Sequence, residues 1–390
     1  MEACVRTFLG LSGLIIMVVI STSVSRALPR FAARTGARCE SCHVNPSGGE
    51  MRQAFGVRYG REELPVPAWA QDFEMADFTN LIGNVLGIGA DMRTLYYSQP
   101  SSHGFFQMQG DLYVNLRLAK KVSLFLNKGL YSGFEIFGLL NVLPARGYVK
   151  VGKFLPDYGS KLDDHTTFIR TYTGFSPELG RPELTGAEAA ISPGPITITG
   201  GIYNSVDAYG SSGAGKTAFL GRIEGMFNLA DHVNLGLGGS YFGNGTLSTN
   251  VLSRITSDLG VNLAPSGAPA DNTLMGGFGA FAYHDLTILG EVDYMKTKSA
   301  GTTTKGLLTF VQADYPVVTG VDVQVSYDFY DPDRDVKNGA ISRYSAGVGF
   351  FPIAGVEVRP MYRWVKRQDV AAELGERSWT EFQLMLHLYF

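Results

Sequence analysis

From about residue 80 to the C-terminus, apolar and polar residues alternate with a period of two, the repeat of a strand whose two faces meet different surroundings. The C-terminal stretch shows it best. Phe382, Leu384, Leu386, Leu388 and Phe390 fall on one face, and Glu381, Gln383, Met385, His387 and Tyr389 on the other. Leu112, Val114, Leu116 and Leu118 oppose Asp111, Tyr113, Asn115 and Arg117 in the same way, as do Val321, Val323 and Val325 against Asp322, Gln324 and Ser326.

Marking every such segment predicts sixteen strands, near 83–97, 104–118, 121–131, 132–141, 146–155, 184–192, 195–205, 216–229, 232–243, 273–284, 285–298, 303–315, 320–331, 339–352, 355–366 and 378–390. No amphipathic helix is read among them. Connections after even-numbered strands are short (around Lys120, 143–146, 193–195, 230–231, 284–285, 317–320 and 353–354). Those after odd-numbered strands are mostly long, including 156–183, 206–215, 244–272, 332–338 and 367–377.

An even strand count with short turns at one end and long loops at the other predicts an all-β fold, a roughly sixteen-stranded antiparallel outer-membrane barrel. The terminal aromatic, Phe390, resembles the C-terminal signal of such barrels. A soluble sandwich or a periplasmic barrel does not account for one apolar and one polar face across all sixteen segments.

Composition narrows the picture. Glycine makes up 48 of 390 residues without a collagen period, and several, such as Gly236, Gly238, Gly276 and Gly279, fall inside strands, where a bending sheet accepts them. Mean hydropathy near zero (+0.04) is what alternation gives when averaged over two faces. A formal charge of −3 leaves no basic footprint for nucleic acid.

The N-terminus adds an address. Arg6, the apolar run 8–20 and the small residues Ser25 and Ala27 read as a secretory signal peptide spanning 1–27, with an apolar run too short for a membrane helix. Its removal takes away Cys4, so the exported chain keeps two cysteines and cannot build a disulfide framework.

Those two cysteines form Cys39-Glu40-Ser41-Cys42-His43, the C-x-x-C-H pattern of covalent c-type heme attachment. Two thiols three positions apart can add to the two vinyl groups, and the adjoining imidazole can take an axial place on iron. A thioredoxin-like dithiol would need a βαβ context and a zinc site two more nearby ligands, and neither is read here.

The motif lies in segment 28–70, ended by Pro65-Val66-Pro67 and too small to hold itself together unaided, ahead of a barrel domain at 71–390. Its six arginines, at 30, 34, 38, 52, 58 and 61, suit heme propionates or an acidic lumen. Met51 and Met75 are weak candidates for the second axial ligand. His103, His165, His232, His284 and His387, or a five-coordinate iron, remain open.

Two further features bear on function. Gly210 to Thr217 matches the phosphate-binding pattern G-x-x-x-x-G-K-[ST], but Phe219, Gly221, Ile223, Gly225 and Phe227 continue it as a strand where the mechanism needs a helix. The expectation is a surface loop without nucleotide. In the 156–183 loop, Asp157, Asp163, Asp164 and His165 admit three readings: ligands for a divalent cation such as Fe(II), an inward-folded constriction, or ordinary loop solvation. Glu291, Asp293, Asp322, Asp328 and Glu381 would line the lumen with negative charge.

The layout as a whole, and above all residues 27–56 (opening Ala-Leu-Pro-Arg-Phe-Ala-Ala-Arg-Thr-Gly-Ala-Arg followed by C-x-x-C-H), resembles the fused monoheme cytochrome c–porin family of outer-membrane iron oxidases. The resemblance implies one covalent heme c on Cys39 and Cys42 with His43 on the iron. It also implies electron transfer from extracellular Fe(II) to periplasmic carriers such as a soluble cytochrome c, an Fe(II):cytochrome c oxidoreductase in the outer-membrane lipid. After His43 the chain departs from that pattern, carrying Asn-Pro-Ser-Gly-Gly-Glu-Met in place of a proline-leucine segment. A solute porin with the heme segment as plug or gate, and electron flow in the outward direction, are the alternatives.

Overall fold

A computed structural model describes residues 30–70, 80–129, 133–175, 183–205, 216–263, 269–299, 301–368 and 376–390. The stretch 1–27 read as a signal peptide, Met75 and most of the Gly210–Thr217 stretch lie outside them.

Sixteen antiparallel strands form one closed barrel: β1 (Leu86–Gln99), β2 (Ser102–Ala119), β3 (Val122–Gly129), β4 (Phe134–Leu143), β5 (Gly147–Phe154), β6 (Leu184–Ile191), β7 (Ile196–Asn204), β8 (Thr217–Ala230), β9 (Val233–Leu247), β10 (Ala270–Tyr283), β11 (Leu286–Ser299), β12 (Thr302–Val318), β13 (Val321–Asp331), β14 (Ile341–Phe350), β15 (Val356–Gln368) and β16 (Glu376–Tyr389). Each strand pairs with its sequence neighbour, and β16 closes the ring on β1 through Phe382↔Ser98 to Tyr389↔Asp91. Closure leaves no strand edge unpaired, which a lipid-spanning sheet requires. A two-residue strand, Leu81–Ile82, pairs with the start of β1.

The alternation resolves into inside and outside as the pattern predicts. Leu112, Ile223, Val292 and Val325 are about half exposed on the outer wall, while Asp111, Asp293 and Gln324 are buried in the lumen. This inverts the soluble rule, because the outer face meets lipid and the inner face meets protein. No described helix is long and apolar enough to cross a membrane.

The short turns all lie at one end, as expected; at the other, 100–101 is tight as well. Thr217 opens β8, so a strand follows the glycine-rich stretch, as the pattern indicated.

Two segments fill the lumen. From the short-turn end comes the N-terminal segment, with helices α1 (Arg30–Thr35), α2 (Cys39–Cys42), α3 (Ala54–Glu62) and α4 (Pro67–Ala70). Arg38 Nη2 donates to Gly194 O in a short turn at 2.9 Å, and Val66 N donates to Phe351 O in another at 3.0 Å. From the long-loop end the β5–β6 connection turns inward with α5 (Phe168–Thr171), burying Tyr158, Leu162, Phe168, Ile169 and Tyr172. Of the three readings of that loop, the inward fold is the observed one. Its aromatic residues could not be left in water without losing roughly 1.5–3 kcal/mol of burial each.

The helix α6 (Thr249–Leu259) between β9 and β10 corrects the expectation that no helix follows residue 80. Its signals are local. Ser248 Oγ accepts from Val251 N at 3.4 Å, Gly260 ends it with a left-handed φ of 73°, and the buried Val251, Leu252, Ile255 and Leu259 follow helical spacing. The helix caps the inturned loop, with Tyr172 Oη donating to Asp258 Oδ2 at 2.9 Å. One apolar cluster runs from Ala33, Val44 and Met51 of the N-terminal segment through Tyr113, Phe125, Phe137 and Phe154 of the wall to α6.

Candidate functional site

Residues 39–42 make a single helical turn, which places Cys39 and Cys42 on one side of it. Neither is in a disulfide. The chain then reverses through Gly48 (φ 91°), Gly49 (φ 80°) and Glu50 (φ 61°), a run of left-handed residues that two glycines make accessible. The reversal sets Val44 N on Met51 O at 2.9 Å and Gln53 N on Cys42 O at 2.7 Å. The Gln53 amide donates to the carbonyls of His43 (2.8 Å) and Glu40 (3.0 Å). The departure from the family pattern after His43 is therefore a tight return that braces the motif.

His43 Nδ1 lies 3.3 Å from Glu50 O, leaving Nε2 as the nitrogen available to a metal. Burial, with the Arg52 charge nearby, lowers the imidazole pKa to about 4, so the ring stays neutral near neutral pH. Burial raises both cysteine thiols, which argues against a reactive dithiol of thioredoxin type.

All three motif residues line a cavity of about 270 Å³ in the lumen. Its other walls come from the inturned loop (Lys161, Asp163, His165, Arg170) and from the barrel (Asp91, Arg93, Glu135, Glu357, His387). Periodicity could not single out these wall residues, because any lumen-facing polar residue reads alike.

The arginines act mainly as tethers. Arg30 pairs with Glu357 (3.1 Å), Asp163 (3.4 Å) and Asp314 (3.5 Å), Arg34 with Asp322 (3.6 Å), and Arg52 with Asp91 (4.0 Å). These join the N-terminal segment to β1, β12, β13 and β15. Asn127 and Lys150 add hydrogen bonds to Glu50 (3.3 Å) and Ser47 (3.1 Å) from β3 and β5. Of the six arginines the acidic lumen takes these three; Arg38 pairs with Glu40 of its own segment, and Arg58 lies over Phe55.

The lumen acids are likewise engaged. Asp293 accepts from Tyr158 (2.7 Å), Glu291 from Ser160 N (2.8 Å), and Asp328 from Phe168 N and Arg343 (both 2.9 Å); Glu381 accepts from Trp379 (2.9 Å). The loop carboxylates read as cation ligands are paired with arginines instead: Asp157 with Arg222, Asp163 with Arg359 (2.5 Å), Asp164 with Arg363 (2.7 Å). Among the described residues no group of three or more His, Cys, Asp or Glu is arranged to hold a metal ion.

Burial alone would raise Asp163 and Asp164. Arg359 and Arg30 outweigh it at the first and hold it well below the usual range, while Arg363 and Arg343 bring the second to about 2. A carboxyl depressed on folding adds stability above its unfolded pKa of about 3.9 and loses it as pH falls through the folded value. Protection of residues 156–175 against protease should therefore be unchanged from pH 7 to 4 and fall only between about 4 and 2. Release already at pH 5 would show that these pairs do not hold the loop.

The candidate axial residues separate clearly. Met51 is buried with its side chain against the wall, where a Cβ on Gly87 would come within 2.4 Å of its Cε, and it does not line the cavity. His387 does, but both ring nitrogens face carboxylates, Asp91 at 2.9 Å and Glu357 at 3.0 Å. His232 and His284 stack on each other at 5.2 Å on two short turns, and His103 is exposed on β2. His165 lines the cavity, with Nε2 3.4 Å from Arg93 Nη1.

The residues present suit a heme. A Cβ on Gly56 would press to 2.4 Å from Cys42 O, and one on Gly48 to 2.8 Å from Cys39 Sγ, so side chains are absent where the motif needs room. Arg52 Nη1, in a cavity-lining residue, is buried with no hydrogen-bond partner, which leaves polar capacity for a ligand.

No protein-family model and no curated protein matches the sequence. Solved structures do. The anion-selective porin from Comamonas acidovorans aligns with a TM-score of 0.56 at 13% identity, over 78% of this chain and 99% of that one. OmpT, an outer membrane protein of Vibrio cholerae, aligns at 0.56 and 11%, over 81% and 100%. The outer membrane channel DcaP of Acinetobacter baumannii aligns at 0.51 and 10%, again over 81% and 100%. At these identities the likeness is one of fold, and the fold of this chain is a closed sixteen-stranded β-barrel of the outer-membrane porin kind.

Proposed function

We propose that this chain is an electron conduit of the bacterial outer membrane, with segment 28–70 acting as a monoheme cytochrome c unit housed in the lumen. Cys39 and Cys42 would hold heme c covalently and His43 Nε2 would be one axial donor. The observation that carries the reading is that all three line one cavity, enclosed between a segment entering from the short-turn end and a loop entering from the other. Bound there, heme c supplies a one-electron ferrous–ferric couple.

The chain's own residues do the rest. The Gly48–Glu50 reversal fixes the His43 ring, Arg52 offers a buried donor to an acidic ligand group, and the packed lumen keeps bulk water away. A site inside the barrel also shortens the path across an apolar band roughly 25 Å tall.

In the forward direction an extracellular donor of the Fe(II) class gives up one electron and becomes Fe(III). A periplasmic carrier such as a soluble cytochrome c takes the same electron. The outward direction uses the same site.

Protein in liposomes enclosing ferricytochrome c tests this. External Fe(II) should reduce the enclosed acceptor only when the protein is present, and an acceptor that stays oxidised beside heme-loaded protein would sink the proposal. The second reading is a solute porin with segment 28–70 as plug or gate. It is favoured by the similar structures, which are described as a porin and a channel.

A further inference from the structure

We infer that the outward face of α3, framed by the basic turns beside it, is the docking surface through which this site exchanges electrons with a soluble, acidic carrier protein, an inference that rests on the heme reading above. The helix lies directly on the motif. Its inner face is Gly56 and Gly60, one turn apart, where an added Cβ would come within 2.4 Å of Cys42 O and 3.2 Å of the Tyr389 ring. Glycine at both positions lets the backbone of α3 rest on the attachment turn with no side chain between them.

The opposite face is turned to the short-turn mouth, the periplasmic end of such a barrel. Phe55 is 41% exposed, and the exposed Arg58 sets its guanidinium 5.7 Å from that ring. A single exposed phenylalanine is ordinary on a protein surface. This one is set apart by its place, next in sequence to the glycine that touches Cys42.

The charge around it has one sign. Asn80 Nδ2 donates to Arg52 O at 2.5 Å, Ile88 N to Asn80 O at 2.8 Å and Arg117 N to Val85 O at 2.8 Å, which joins the start of α3 to the ends of β1 and β2. The β2–β3 turn beyond them carries the exposed Lys120 and Lys121. On the other flank Arg38, next to Cys39, holds the 193–195 turn through Gly194 O, and Ser192 N donates to Ala145 O at 3.0 Å, which brings in the turn of the exposed Arg146. Glu40 of the motif is paired with Arg38 at 3.1 Å.

The exposed acids of this end stand elsewhere. Glu62 and Glu63 are at the far end of α3, toward the β14–β15 turn that Val66 joins, and Asp231 and Asp285 are on the β8–β9 and β10–β11 turns. The mouth is therefore basic beside the motif and acidic away from it, which selects and orients an acidic partner. A lipid surface reaches the rim lysines more readily than Arg58, which the lumen segment carries inside the ring of turns. Electron transfer needs only a brief encounter over a small interface, so one apolar contact framed by charge suffices. Each encounter passes one electron, oxidising one partner and reducing the other by the same amount, with no bond made.

The test uses the purified full-length holoprotein, with covalent heme verified on a denaturing gel. It is mixed by stopped flow with cytochrome c in the opposite oxidation state, in the direction that runs downhill, using the native basic protein and its succinylated, acidic form. The succinylated form should exchange faster by roughly tenfold at low salt, and the advantage should vanish as salt rises. Arg58→Glu should remove or reverse the preference, with the optical spectrum and the covalent heme as in the parent. Phe55→Ser should slow exchange at every salt concentration. A preference for the basic form, indifference to charge, or an Arg58→Glu protein with the parent's preference overturns the inference while leaving the heme in place; loss of the preference only in Lys120→Glu/Lys121→Glu would give the basic rim to the lipid surface instead. A rate that rises roughly tenfold in Asp72→Asn/Glu74→Gln/Asp77→Asn also overturns it, because the chain's own acidic stretch would then be the occupant. A parent with no covalent heme overturns the reading beneath it as well.

Discussion

Replacing both Cys39 and Cys42 with alanine should abolish heme staining of the denatured chain while leaving the folded barrel's heat-modifiable mobility intact. Each cysteine alone can form one thioether, so single variants should keep a reduced stain, and only the pair should lose it altogether. The barrel should tolerate the change because its closure depends on sixteen neighbour-to-neighbour ladders, none of which includes residues 39–42. Cys39 is a small buried side chain against Gly48, so its truncation to alanine costs on the order of 1–2 kcal/mol of local packing. A double variant that still carries covalent heme would remove the basis of the electron-transfer proposal. One that loses both heme and fold would give these residues a structural role instead.

The second large effect concerns conductance. In planar bilayers the native protein should pass little current, and replacing residues 157–174 with a short Gly-Ser linker while also deleting residues 30–70 should raise conductance on the order of tenfold or more, because unplugged barrels of this strand number leave an aqueous channel. The lumen is packed as a protein core. Tyr158 and Phe175 stack at 5.3 Å, Tyr172 and Tyr330 at 4.6 Å, and a ring series from Tyr113 through Phe125, Phe137 and Phe154 to Tyr203 lines the wall beside them. Every lumen carboxylate named above accepts a hydrogen bond or pairs with an arginine. A native protein with open-porin conductance would favour the solute reading, with the N-terminal segment as the gate.

The sixteen strands were legible because a strand's period is local, and lipid outside with protein inside holds one face apolar and the other polar along every segment. C-x-x-C-H was legible because its chemistry sits in five consecutive residues. What escaped was non-local. Arg30 reads as a basic residue near the motif, and only the fold shows that it meets Glu357, 327 positions away.

The inward fold of the 156–183 loop had a visible trace in Tyr158, Phe168, Tyr172 and Phe175, too apolar a set for solvent. Helix α6 had one in Ser248, Gly260 and the four apolar residues between them. The first was one of three open readings; the second was hidden because a long connection reads as surface by default.

The enclosed position of Cys39 also orders the assembly of the molecule. It is 8% exposed, and the cavity it lines is walled by the inturned loop and by strands of the barrel. β16, whose His387 and Tyr389 line the same cavity, closes the ring on β1. Enzymatic ligation of heme to Cys39 and Cys42 needs both thiols within reach of a catalyst. On the proposed heme reading, the prosthetic group is installed on an open precursor before β16 and β1 seal the ring, which would make maturation of the N-terminal segment a checkpoint upstream of barrel closure.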